Sequence, residues 1–181
     1  MHPIKLANVL LALSACLEVQ GDDALPPVTV SIAIPVEGSI LGHESQSLSF
    51  RIPGAHFHTI ISNVSTNDIR LWKEDCSLGY EALSFEVADN AGNNWVAKKR
   101  RRNWRTNYPR WRVLKPKEAM VIDVYFGDAR VWEGFRRPPK GTPLTVILKA
   151  VFEIPADKDA KDHQVWAGRV VALPVQLQFY E

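Results

Sequence analysis

Two cysteines in 181 residues are too few to staple a domain, and Cys16 lies close to the amino terminus while Cys76 sits in mid-chain. A disulfide between them is not expected, so stability has to come from a core. No run of 18 or more apolar residues occurs, so no helical span is expected in the main body of the chain. There is no Gly-x-Ser-x-Gly elbow, no His-Glu-x-x-His pair and no phosphate-cradling glycine loop, and the five histidines are scattered. Nothing in these motifs points to an enzyme, a metal or a cofactor. Sustained helical periodicity is also lacking, and no helix longer than about two turns is expected.

What is present is the balance of a globular chain, 46% apolar and 23% charged, of a length suited to one domain with an ordinary core. The overall charge of +2 conceals a division. Residues 17–97 carry 3 Lys or Arg against 11 Asp or Glu, and residues 98–181 carry 18 against 9, so the halves stand at −8 and +9 and Lys5 supplies the rest. Two readings follow: the second half meets an anionic partner, or the two halves face each other within a dipolar fold.

The amino terminus has a short start with one lysine, Met1-His2-Pro3-Ile4-Lys5. The apolar run Leu6-Ala7-Asn8-Val9-Leu10-Leu11-Ala12-Leu13 and then small residues follow it. That is the three-part layout of an export signal, with an apolar run too short for a membrane span. The segment ends in Leu13-Ser14-Ala15-Cys16, which resembles the lipobox of bacterial lipoproteins. The resemblance implies cleavage before Cys16, a diacylglycerol thioether on its sulfur, and a membrane held through that lipid. Leu17 follows, not the aspartate of inner-membrane retention in enteric bacteria, so the outer membrane is the expected site where the bacterium has one. A non-lipidated signal cleaved near Gly21, or an amphipathic first helix, are the alternatives. On the first reading residues 1–15 are signal, 16–27 an acidic, proline-ended tether, and 28–181 the domain.

Beyond Pro27 short β-branched and aromatic runs alternate with Gly, Pro, Asn and Asp. Strands are expected at 28–34, 46–52, 57–64, 69–72, 83–87, 120–126, 144–154 and 165–180, the last broken near Leu173-Pro174. The count and spacing predict an all-β, two-sheet antiparallel sandwich. The stretch Gly141-Thr142-Pro143-Leu144 through Phe152-Glu153, a charged loop, and then Val165-Trp166-Ala167-Gly168 through Leu177 resembles the last hairpin of immunoglobulin-like domains in secreted bacterial proteins. The resemblance covers about 40 residues and implies an immunoglobulin-like sandwich. Phe152 stands where a tyrosine is usual, which removes the hydroxyl of a tyrosine corner. Trp72 and Cys76 read as core or near-core residues.

The most unusual stretch is residues 98–112, where Lys98, Lys99, Arg100, Arg101, Arg102, Arg105, Arg110 and Arg112 are interleaved with Trp104, Tyr108 and Trp111. Guanidinium groups pair with phosphate, sulfate or carboxylate, and the rings stack on sugars or on guanidinium planes. Arg130, Arg136, Arg137 and Lys140 are candidates to extend such an anion-binding surface. The competing reading is that the cations pair with the protein's own carboxylates or cover tryptophans with their stems. His56 and His58 share one strand face but are two ligands only, with no carboxylate near in sequence. Asp157, Asp159 and Asp162, separated by lysines, read as a solvated hairpin tip and not as a calcium loop. The expectation is a non-catalytic, exported envelope lipoprotein that binds an anionic polysaccharide, a lipid head group or an acidic protein surface. Nucleic acid is not an expected partner in that compartment. The runner-up is a structural accessory of an envelope complex whose basic segment is neutralised internally.

Overall fold

A computed structural model describes residues 26–34, 47–49 and 57–181. Cys16 with the amino-terminal segment, His56, and residues 46 and 50–52 of one expected strand lie outside the described residues. Within them the chain forms β1 (Val28–Ala33), β2 (Ser47–Ser49), β3 (Phe57–Asn63), β4 (Ile69–Trp72), α1 (Ser77–Tyr80), β5 (Leu83–Asp89), β6 (Asn94–Lys99), β7 (Trp111–Leu114) and β8 (Ala119–Val124). After these come β9 (Trp132–Glu133), β10 (Leu144–Ile154), α2 (Lys158–Asp162), β11 (Gly168–Val171) and β12 (Val175–Tyr180).

The chain is all-β, and its strands form two facing sheets and a ribbon. One sheet has the order β1-β3-β8, all antiparallel. The other runs β2-β12-β10-β5-β6-β9, with β11 also paired to β10. Its pairings are antiparallel except one, β2 running parallel to β12. A two-stranded ribbon, β4-β7, pairs with neither sheet but packs Ile69, Leu71, Trp72 and Leu114 into the same core.

Period-two alternation decides which side chains meet between the sheets. Val28, Val30, Phe57, Ile61, Met120, Ile122 and Val124 point inward from the first sheet. Phe85, Val87, Val146, Leu148, Ala150 and Leu177 answer from the second. Aromatic rings fill the centre: Phe57 meets Phe85 edge-on at 5.5 Å, Phe85 meets Phe126 at 5.2 Å, and Phe126 stacks on Phe135 at 4.2 Å. Edge-to-face and offset contacts of this kind add to the burial itself. Phe152 is buried and stacked on Trp166, 6.1 Å away at an interplanar angle of 6°.

The last strand is interrupted near Leu173-Pro174. Between the pairs Leu148↔Val175 and Val151↔Val171, two residues of β10 face three of the partner, Ala172, Leu173 and Pro174. This is a β-bulge, placed where proline has no N–H to give the ladder. At the β5–β6 turn, Asp89 accepts bonds from the N–H groups of Ala91 and Asn93 and from Asn93 Nδ2, while Gly92 takes a φ of +83°. Glycine reaches that left-handed conformation without the steric cost of a Cβ. The loop carrying Asp157, Asp159 and Asp162 is not a bare hairpin tip. It holds α2, which Asp157 caps by accepting from the Ala160 N–H at 2.8 Å.

Candidate functional site

The basic run leaves β6, crosses the irregular segment 100–110 and enters β7. Alternation along β6 sets its first two cations on opposite faces. Lys98 projects outward, 3.8 Å from Glu133, while Lys99 follows Ala97 to the inner face and is only 7% exposed. A buried ammonium needs a counter-charge, and Lys99 has one in Glu74. Its Nζ also lies 4.8 Å from the Tyr80 ring centroid and 5.8 Å from that of Trp132.

Glu74 belongs to the turn between β4 and α1, and its neighbour Asp75 takes the other end of the segment, forming an ion pair with Arg110 at 2.7 Å. The Lys73 N–H donates to the Arg110 carbonyl, and Cys76, fully buried, donates its N–H and directs its Sγ to the Lys73 carbonyl. Gly79 allows this turn to press against α1, because a Cβ there would stand 2.1 Å from the Lys73 oxygen. The middle of the segment is fixed by Asn107, which accepts from the Ser77 N–H at 2.9 Å and donates from Nδ2 to Ser77 Oγ at 2.5 Å. Tyr80 completes the platform, with Arg102 4.3 Å from its centroid and Trp104 edge-on at 5.7 Å. One short acidic turn and one four-residue helix therefore clamp both ends and the middle of an eleven-residue loop.

The eight cations do not share a fate. Lys98 and Arg100 flank Glu133, Lys99 is buried, Arg102 lies over Tyr80, and Arg110 holds Asp75. Among the described residues Arg101, Arg105 and Arg112 have no ion-pair partner. Tyr108 is 75% exposed. Arg112 sits apart from the loop, on β7, lining a groove with Lys73, Glu74, Met120 and Val121. Of the aromatics, Trp104 packs inward and Trp111 stands half out, against Trp72 and the His163 ring, with the Arg70 guanidinium 5.7 Å over it.

Of the four cations expected to extend the surface, Lys140 is exposed with no ion-pair partner among the described residues, and the other three are engaged elsewhere. Arg137 pairs with Glu181, Arg136 lies over Trp95, and Arg130 chelates Asp128. The Arg130 side chain and N–H hold the Asp128 carboxyl below the usual carboxylate range, with the charges of Arg130 and Arg102 adding to the effect. His58 does have a carboxylate, supplied across the sheet and not along the chain: Asp123, its cross-strand partner, at 2.7 Å. Among the described residues no three His, Cys, Asp or Glu side chains converge as metal ligands.

Sequence reasoning missed the clamp residues Glu74, Asp75, Ser77 and Tyr80. The signal for them was indirect, two adjacent carboxylates in an acidic half facing eight cations in a basic one. No protein-family model, curated protein or solved structure matches this chain.

Proposed function

We propose that the chain is a non-catalytic binding or assembly module of the bacterial cell envelope, exported and lipid-anchored through Cys16. Its contact with an anionic partner is made by the outer side of the 100–110 loop. The observation that carries this reading is the exposure of Arg101, Arg105 and Tyr108, without a carboxylate partner for either arginine among the described residues, on a loop whose ends and middle are pinned. A pinned loop loses little conformational freedom on binding, so its cations act as a preformed surface. Sulfate, phosphate or carboxylate groups of an envelope polysaccharide, a lipid head group or an acidic protein surface are the chemistry it suits.

We read the all-β sandwich as immunoglobulin-like, and that reading favours a binding or assembly module. It is supported by the order β1-β3-β8 opposite β12-β10-β5-β6, which is the order expected if these were strands A-B-E facing G-F-C-C′. Fold alone does not give function, so the test is on the loop. Full-length protein is titrated with dextran sulfate, polygalacturonate and phosphatidylglycerol vesicles across a salt series, beside the variant Arg101→Ser, Arg105→Ser, Tyr108→Ala. Salt-sensitive binding that falls at least about tenfold in the variant is expected, since three exposed contacts at roughly 0.5 kcal/mol each amount to that factor. Equal binding by both proteins would refute it.

A second reading has its own observation. Lys98, Lys99, Arg100 and Arg110 are each within ion-pair distance of Glu74, Asp75 or Glu133, as an internally neutralised accessory subunit would have it. Failure to bind any of the three probes would favour that reading. Anchorage is tested separately: Cys16→Ala should move the protein from the membrane fraction to the soluble fraction.

A further inference from the structure

We infer that β8 is a docking edge for an extended acidic segment of a partner protein, which adds to the β1-β3-β8 sheet as a fourth strand. The register fixes which backbone groups of β8 face away from β3. Asn63 N–H donates to the Glu118 carbonyl at 3.0 Å, which sets the phase of the β3–β8 ladder. In the pairs His58↔Asp123, Ile60↔Val121 and Ser62↔Ala119 the β8 residues consequently turn N–H and C=O away from β3. Among the described residues no strand pairs with that side of β8.

Natural sheets shield such edges with lysine, proline, bulges or very short strands. β2 and β9, at the ends of the larger sheet, have three and two residues. β1, at the other end of the smaller sheet, packs against β10 and β11. β8 has six residues, Ala119-Met120-Val121-Ile122-Asp123-Val124, with no lysine, proline or glycine. Its one charge is already paired with His58, and Val121 is 56% exposed.

The space beside the edge is an open groove with cationic residues on its wall. A groove of about 410 Å³ is lined by Met120 and Val121 on one side and by Lys73, Glu74 and Arg112 on the other. Glu74 is engaged with Lys99, while Lys73 and Arg112 have no ion-pair partner among the described residues, and Lys115 and Lys117 stand exposed at the turn into β8. An incoming strand takes main-chain bonds from the edge and places alternate side chains toward these cations. Acidic residues at every second position fit that pattern, and a basic segment does not. The loop tip plays no part in this contact, which is a different surface and a different mode of recognition.

The probe is a synthetic octapeptide alternating Glu and Thr, with a Lys-Thr octapeptide as its opposite, titrated into full-length protein and followed by amide hydrogen exchange. The Glu-Thr peptide should slow exchange at Ala119, Val121 and Asp123 by at least tenfold, and the Lys-Thr peptide should not. Val121→Pro, which removes an outward N–H without touching the β3 ladder, should weaken the Glu-Thr peptide about tenfold while leaving dextran sulfate binding as it was. Val121→Thr should behave as the parent. Binding of the peptide without protection at those three amides, or with unchanged affinity in Val121→Pro, overturns the assignment. A dimer of the protein that Val121→Pro dissociates overturns it as well, because the edge would then belong to a second copy.

Discussion

Lys99 and Arg105 lie six positions apart in one cationic run, and they live in opposite conditions. The first is 7% exposed, held by Glu74 and walled by Tyr80 and Trp132. The second is exposed with no carboxylate partner among the described residues. The number of cations in a segment therefore says little about how many of them can meet a partner. Strand alternation and the position of a single acidic turn sort structural cations from available ones.

The buried cation is the more sensitive of the two to substitution of its partner. Glu74→Gln strands the Lys99 ammonium, and unfolding by urea should show a loss of about 2 kcal/mol, below the 3–5 kcal/mol of a fully enclosed pair because the Glu74 carboxylate is itself partly wet. Lys99→Met, which keeps the stem and discards the charge, should stay within about 1 kcal/mol of the parent. If both variants fall equally, the pair is not what matters there. Asn107→Ala removes two bonds to Ser77 and should cost about 1 kcal/mol, together with faster amide exchange at Ser77. At the exposed end, Arg101→Ser with Arg105→Ser should leave stability within about 0.5 kcal/mol, whatever it does to polyanion binding. A larger loss would place those arginines in the structural group.

The smallest effect concerns the turn at the far end of the β5–β6 hairpin, where one carboxylate does the work of a clamp. The Asn93 side chain, followed by the Asn93 and Ala91 N–H groups, holds Asp89 below the ordinary 3.8. Because the folded-state value is the lower one, the contribution is complete above pH 3.8 and is lost as pH falls further, toward the folded value. Amide exchange at Ala91 and Asn93, corrected for its intrinsic pH dependence, should therefore stay constant down to about pH 4 and accelerate below it. Acceleration already near pH 6 would mean that a histidine, not Asp89, controls the turn.

Strands rich in β-branched and other apolar residues between turn residues were legible in the residues themselves. β4 and β10 match the expected 69–72 and 144–154 without shift, and the break in the last strand falls at Leu173-Pro174, where proline withholds a donor. β6, β7 and β9 were not legible, for physical reasons that differ. β6 places Ala97 and Lys99 on its inner face, so its pattern reads as polar. In β7 only Leu114 is buried, and β9 is two residues long. The basic, aromatic character of the candidate site stood out at once, yet its division into clamped and free cations did not. The partners that make the division, Glu74 and Asp75, lie 25 and 35 positions from the residues they hold.

Cys76 follows Asp75 directly, buried within the same turn. With Cys16 replaced by serine it is the sole thiol in the chain. Its sulfur can reach a bulky maleimide only when the turn lets go of the loop, so labelling rate counts openings of the clamp. A ligand that grips the free arginines from outside would lengthen the life of that thiol without ever touching it.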